Sequence, residues 1–240
     1  IKKKNKQPKH PETEERYIRI EDIAEIGNGM VSGLDKAFNI KSVKDFNELE
    51  KIFIINVVKS KDFDRITYKK IEKYIFIPET HFSSEKEFAE QCPHLHEHLT
   101  PFKQELEKRW IPHPINWWEW AFPRNKTLIE SCDRKILVPC KERFDKRQYV
   151  RFVLAIGKDI YANQDVTVIV KKDWVKESEE YITAFLSSSL VYVWLIYKGL
   201  IRGGVLEFSE KPLSEIPFRL INWSDPAEVK VHDEITSTIQ

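Results

Sequence analysis

The sequence predicts an α+β fold: a mixed sheet with a broken helix in the middle of the chain and a long C-terminal helix. Three observations carry that expectation. Runs rich in β-branched and apolar residues, bounded by charge, recur at 51–59, 136–139, 150–156 and 167–170, too short for helices and spaced like buried strands. Between the first and second of these, apolar residues move to helical spacing with a proline in mid-course. After the last, residues 177–198 keep helical spacing until Gly199 stops them. There is no internal repeat and no heptad seam.

The elements follow in order. Residues 1–16 open on Ile1 and a Lys-rich stretch, pass through Pro8 and Pro11, and read as a solvated linker with no apolar core of a signal peptide. A chain that opens this way reads as a piece of a longer protein. Residues 17–26 form a strand and its approach, and a loop containing Gly27, Gly29 and Gly33 follows. Residues 51–59 read as a buried strand and 74–78 as another short one. Ser84 with Glu87 makes a capping-box pattern, and Cys92-Pro93 interrupts the helix it starts. Leu95, Leu99, Phe102 and Leu106 then share one helical face, with Thr100-Pro101 as a fresh start and an end near Arg109. Residues 110–123 are dense in Trp and Pro and read as irregular. After the strands at 136–139, 150–156, 160–161 and 167–170, residues 177–198 read as one helix. Tyr181, Phe185, Leu186, Leu190, Val193, Trp194 and Tyr197 form its apolar face. The domain is expected to span 17–220, with 221–240 as a C-terminal extension.

Composition bounds the function classes. A chain of 240 residues that is 41% hydrophobic and 12% aromatic can bury a sizeable core. Its 39 basic and 38 acidic residues leave a net charge of +1, which excludes a global basic field, so any nucleic-acid binding must come from a local patch. Cys92, Cys132 and Cys140 follow no pairing or zinc spacing, which fits a reducing, cytoplasmic setting. The longest hydrophobic run, 190–197, is far shorter than the roughly 18 residues of a membrane span, so no membrane partner is expected.

Three constellations could carry chemistry. The glycine loop at 27–33 could approach a phosphate, but its spacing misses the dinucleotide fingerprint and no amphipathic helix follows, so a tight turn stands beside the cofactor reading. Cys92, His94, His96 and His98 are metal-ligating types, yet helical neighbours two apart diverge, and only His94 and His98 share a face. The third is basic and aromatic: Arg134, Lys135, Lys141, Arg143, Lys146, Arg147 and Arg151, with Phe144, Gln148 and Tyr149 between. DNA recognition needs this mixture, Lys and Arg for phosphates and forked or amide donors for bases, whereas an ordinary solvated strand face is the plain alternative. The loop between Pro139 and Tyr149 is the first choice for contact, with Arg143, Lys146, Arg147 and Gln148 foremost.

The order of several motifs resembles the TaqI-like specificity domain, the DNA target-recognition module of adenine-specific methyltransferases and of restriction enzymes fused to them. Gly27-Asn-Gly29 with Ser32-Gly33-Leu-Asp-Lys36-Ala-Phe38 is similar to the signature that opens those domains. Val57-Val-Lys59-Ser-Lys61-Asp-Phe-Asp-Arg65 resembles the segment that follows it, with Ser60 at a common glycine. Lys135-Ile-Leu-Val-Pro139 and Tyr181-Ile-Thr-Ala-Phe-Leu-Ser187-Ser-Ser-Leu190 continue the likeness, with Ser187 in place of the usual Asn. Arg202-Gly-Gly204 and Leu213-Ser-Glu-Ile-Pro217 resemble its closing turn and ending. The resemblance implies double-stranded DNA as partner, with Lys36, Lys59, Lys61, Lys141, Arg143, Lys146, Arg147, Gln148, Arg151 and Arg202 as the contact set. It also implies an N-terminal methyltransferase domain elsewhere in the parent protein, and S-adenosylmethionine as that domain's cofactor, with no cofactor on this segment.

The chemistry of base methylation is not written in these residues. A flipped adenine needs an Asn/Asp-Pro-Pro-aromatic tetrapeptide to hold its amine; none occurs, and Asp225-Pro226-Ala227 is not one. No nuclease motif of an acidic residue with an acidic-x-Lys pair is visible. The expectation is therefore a recognition segment for a type II restriction-modification enzyme. Two alternatives stand: a specificity subunit acting in trans, and a packing domain that makes no DNA contact.

Overall fold

A computed structural model describes residues 17–111, 113–144 and 147–239. The expected linker at 1–16 and the candidate Lys146 lie outside the described residues. The expected α+β class holds, and among the described residues thirteen strands form four sheets.

The central sheet explains the rest. Strands β2 (Ala24–Asn28), β6 (Arg134–Pro139), β8 (Val153–Ile156) and β10 (Val166–Lys171) pair antiparallel in the order β2-β10-β6-β8. Side chains alternate between faces of a strand, and the register turns that alternation into layers. The row Val168, Leu137, Val153 faces one hydrophobic cluster, while the adjacent row Ile26, Ile169, Ile136, Leu154 faces another. Both faces of the sheet are thus covered, which is why β10 reads as an unbroken β-branched run where an antiparallel strand with one wet face would alternate. A one-residue slip would exchange the two layers, so register is strongly fixed.

The first cluster is completed by a mixed sheet, β3 (Asn39–Ile40), β5 (Glu72–Ile75), β4 (Ile54–Val58) and β9 (Ile160–Ala162), in which β4 and β9 run parallel. The broken helix packs on it as Glu85–Gln91, Pro93–Leu99 and Lys103–Lys108, burying Phe88, Leu95, Leu99 and Leu106. Its break at Cys92-Pro93 falls where the sequence places it. Ser84 caps as expected, accepting from the Glu87 amide at 3.2 Å, but the Glu87 carboxylate returns to the Ser83 amide, one residue early. The Trp-rich stretch is irregular and is held by Arg109, which donates to the carbonyls of Ser32, Trp117 and Glu119, and by Trp120, whose indole donates to the Ile75 carbonyl.

Three element expectations are corrected. Residues 17–26 hold a helical turn, Ile20–Ile23, between the strands Tyr17–Arg19 and Ala24–Asn28. The front of the 51–59 run is no strand: Asn47 and Glu50 form a capping box, and the turn Glu48–Lys51 precedes β4. The single helix at 177–198 is two, Glu179–Leu186 and Ser189–Lys198, meeting at 61°. Ser188 breaks it by accepting from the Val191 amide, a hydroxyl competing with the backbone for helix hydrogen bonds. No single helix among the described residues is long and apolar enough to cross a membrane.

The longest helix is Pro226–Ile239, which Asp225 starts by accepting from the Ala227 amide. Its buried His232 accepts from the Ser178 amide at 3.1 Å and lies against Tyr181 and Trp223. Strands β1 (Tyr17–Arg19) and β13 (Pro217–Arg219) pair antiparallel, joining the two ends of the described domain. The remaining strands, β7 (Lys141–Arg143), β11 (Leu200–Arg202) and β12 (Val205–Glu207), make a small sheet in the order β11-β12-β7.

Candidate nucleic-acid interface

That small sheet assembles residues from distant parts of the sequence. β7 alternates exposed, buried, exposed, so Lys141 and Arg143 face out and Glu142 faces in. β12 lies between β7 and β11, and the cross-strand rows are Arg202, Val205, Arg143 and, on the same face, Leu200, Glu207, Lys141. Gly203 and Gly204 close the β11–β12 hairpin with φ of +53° and +77°, the two left-handed positions that a two-residue hairpin turn requires. Nothing lies within 4 Å of a side chain built at Gly203, so backbone conformation alone calls for glycine there.

Beneath the sheet lies an ion pair. Arg151, 7% exposed, grips both oxygens of Glu142, with Nη2 to Oε2 at 3.0 Å, and Arg147 approaches the same carboxylate at 3.8 Å. Nη1 of Arg151 donates to the carbonyls of Ser60 (2.9 Å) and Phe63 (3.1 Å). One guanidinium therefore ties β7 to the segment after β4. That segment is a tight hairpin: Phe63 bridges Tyr68, and the Asp64 amide donates to the Thr67 carbonyl at 2.7 Å. At its tip Arg65 is exposed and lies over the Tyr149 ring, 5.1 Å from Cζ to the centroid.

A second basic group is tied to acid. Lys61 (2.8 Å), Lys70 (3.4 Å) and Lys59 (3.5 Å) converge on the buried carboxylate of Glu72, and Lys59 also pairs with Asp35 at 2.7 Å. Burial pushes the Glu72 carboxyl up, but the hydrogen bond from Lys61 and the charge of Lys59 overcome it and bring its pKa to about 2. Burial works against the charge of Lys59 too, and its bonds to Asp35 and Tyr74 outweigh that, holding it above the ordinary lysine value.

The candidate residues accordingly divide. Lys141, Arg143, Gln148 and Arg202 are exposed on or beside the small sheet, and Arg147 is partly exposed there. Lys61 is exposed but paired to Glu72, and Lys36 pairs with Glu105 on the broken helix. Lys59 and Arg151 are held inside by carboxylates. Of the same basic run, Arg134 pairs with Glu180, while Lys135 is buried and donates to the carbonyls of Ile129 and Ile160, its pKa lowered by burial. Glu142 stands in the sequence as an acid within the basic run, but its inward role, and Glu72 altogether, escaped the sequence reading. The signal for Glu142 was present, an acid at the centre of a Lys-Glu-Arg strand whose period of two turns it inward. The Arg65 stack on Tyr149 joins residues too far apart to show.

The other two constellations are otherwise occupied. Gly27 is a strand residue paired with Val168, and the amides of Gly29, Met30 and Val31 donate to Val166, Ala162 and Phe122. A Cβ on Gly29 would stand 2.2 Å from the Asn163 carbonyl oxygen, so glycine serves close backbone packing and leaves no phosphate cradle. The helix after it is the single turn Asp35–Phe38. His94, His96 and His98 bond separately to Glu50, Glu85 and the Ala37 carbonyl. Among the described residues, no group of three or more His, Cys, Asp or Glu is arranged to hold a metal ion.

Comparison with known proteins places this arrangement. No protein-family model matches the chain. It is 42% identical over 238 residues to the type II methyltransferase M.HindII of Haemophilus influenzae, covering 99% of the chain and 45% of that protein. With M.HincII of the same organism the identity is 41% over 211 residues, covering 88% and 41%. The chain thus spans less than half the length of these two relatives. Among solved structures, the type IIL restriction-modification enzyme MmeI, determined in complex with DNA, shares the fold. The TM-score is 0.58 at 13% identity, over 92% of this chain and 27% of that one. The type IIG restriction endonuclease BpuSI gives 0.50 at 9% identity, over 93% and 26%. The type II methyltransferase M.MjaIV of Methanocaldococcus jannaschii is 30% identical over 227 residues, covering 93% of the chain and 73% of its own length. With that share of a whole relative matched, the chain belongs to the type II methyltransferases.

Proposed function

We propose that this chain is the DNA target-recognition region of an adenine-specific type II methyltransferase of a restriction-modification system, of the TaqI-like pattern its motifs resemble. The observation that carries the reading is the outer face of β11-β12-β7, where Arg202, Arg143 and Lys141 stand in adjacent cross-strand rows. Phosphate contacts fix register and base contacts specify sequence. Lys141, Arg143 and Arg202 supply the first kind, and the exposed Gln148 amide suits an adenine edge.

Methyl transfer and its cofactor, S-adenosylmethionine, belong in this reading to an N-terminal methyltransferase domain outside the segment, and the glycine loop with its engaged amides does not fit the cofactor. The exposed apolar residues Leu190, Val193 and Tyr197, at helical spacing on one helix, suit contact with that domain. The three free thiols suit a reducing, cytoplasmic setting. The near-neutral net charge favours the rival reading of a packing domain.

Selection from a randomised duplex library on the immobilised chain at two salt concentrations separates the two. Recognition enriches a short motif and weakens steeply with salt, because phosphate contacts release counterions. Binding that is absent or indifferent to salt returns the chain to the packing-domain reading.

A further inference from the structure

We infer that Arg65 is a specificity-determining residue that reads a guanine edge. This rests on the recognition reading above and adds a residue outside the basic strands. Three features of the hairpin support it.

The tip is rigid. Residues 62–69 are closed by the Phe63–Tyr68 bridge, by the Asp64 amide on the Thr67 carbonyl at 2.7 Å and by the Lys69 amide on the Asp62 carbonyl at 2.9 Å, which leaves Arg65 and Ile66 at the apex. The hairpin is also moored from below, since Arg151 donates to the Phe63 carbonyl while gripping Glu142 of β7. Arg65 is thereby fixed to the same sheet that carries Arg143 and Lys141.

The guanidinium has an aromatic support. Its Cζ lies 5.1 Å from the Tyr149 ring centroid, and a cation on an aromatic face keeps its N–H donors available to other partners. A planar fork is what a guanine O6 and N7 pair selects, whereas a phosphate accepts a point charge equally well.

Its neighbours are neutralised. Lys69 pairs with Asp64 at 3.2 Å, Lys61 and Lys70 are bound to Glu72, and Arg147 faces Glu142. Arg65 makes no ion pair among the described residues and pays no cost of breaking one on binding.

The test is the duplex selection repeated with Arg65→Lys and Tyr149→Leu beside the unchanged chain. Lysine keeps the charge and loses the fork. The expected result is that Arg65→Lys relaxes the preference at one G·C position by about tenfold to a hundredfold, the worth of one bidentate base contact, with an unchanged salt slope. Tyr149→Leu relaxes the same position by less. If the unchanged chain enriches a motif and Arg65→Lys enriches the same motif with equal stringency, the inference is overturned and the recognition reading stands. If the unchanged chain enriches nothing, both are overturned.

Discussion

The basic residues gathered on Glu72 and those on the outer face of β11-β12-β7 have similar side chains and opposite roles. Around Glu72, Lys59, Lys61 and Lys70 satisfy a carboxylate that is 7% exposed. On the small sheet the acid, Glu142, is turned inward and satisfied from beneath by Arg151, which leaves Lys141, Arg143 and Arg202 facing solvent. Strand β7 thus turns its acid inward and its two bases outward, while Glu207 of β12 stays on the outer face opposite Lys141. In both places the direction in which the nearest buried carboxylate points separates the bases drawn inward from those left at the surface.

The largest effect that would break this contrast is loss of its buried clasp. Arg151→Ala leaves Glu142 inside with only Arg147 at 3.8 Å, and such a change should cost about 3–5 kcal/mol in denaturant unfolding. A loss below about 1 kcal/mol would show that the clasp contributes little. Next, Lys141→Ala, Arg143→Ala and Arg202→Ala combined should weaken DNA binding about a hundredfold near physiological salt and lower the salt slope by about 2.7, with stability within about 0.5 kcal/mol per site. The matched variant Lys61→Ala should leave the slope nearly unchanged, because that charge is already committed to Glu72.

Acid titration sharpens the contrast from the other side. The folded pKa of Glu72 lies below its unfolded value, so its contribution is present above about pH 4.5 and is lost as pH falls toward 2. That part of the acid arm should amount to on the order of 2 kcal/mol and should vanish in Glu72→Gln, as read from unfolding free energy against pH. The smallest effect concerns Ser187, whose buried hydroxyl has no hydrogen-bond partner. Ser187→Ala should be neutral or stabilising by less than about 1 kcal/mol in thermal unfolding.

Much of this was legible in particular residues. The strand runs at 136–139 and 167–170 are dictated by burial on both faces of the central sheet, and Cys92-Pro93 breaks its helix by covalent geometry alone. Residues 177–198 read as one helix, whereas Ser188 caps a new one, because a hydroxyl's choice between exposing itself and bonding an amide depends on what packs beside it. Arg143 and Arg202 were legible as candidates, and their neighbourhood was not: only β12 between them makes one surface of two segments. Arg151 and Lys59 share the composition of the contact set, and burial, a property of the assembled fold, separates them from it.

The pairing of β1 with β13 sets residues 17–19 against 217–219, so the domain's first and last strands leave it side by side. The segment from 17 to 219 is thus closed across a single inter-strand spacing of about 5 Å, and the helix Pro226–Ile239 beyond it folds back through His232 onto Ser178 and Tyr181. Tension applied between residues 17 and 219 would therefore load the three residue pairs of this short ladder before reaching either hydrophobic cluster, so the ladder works as a clasp on the fold.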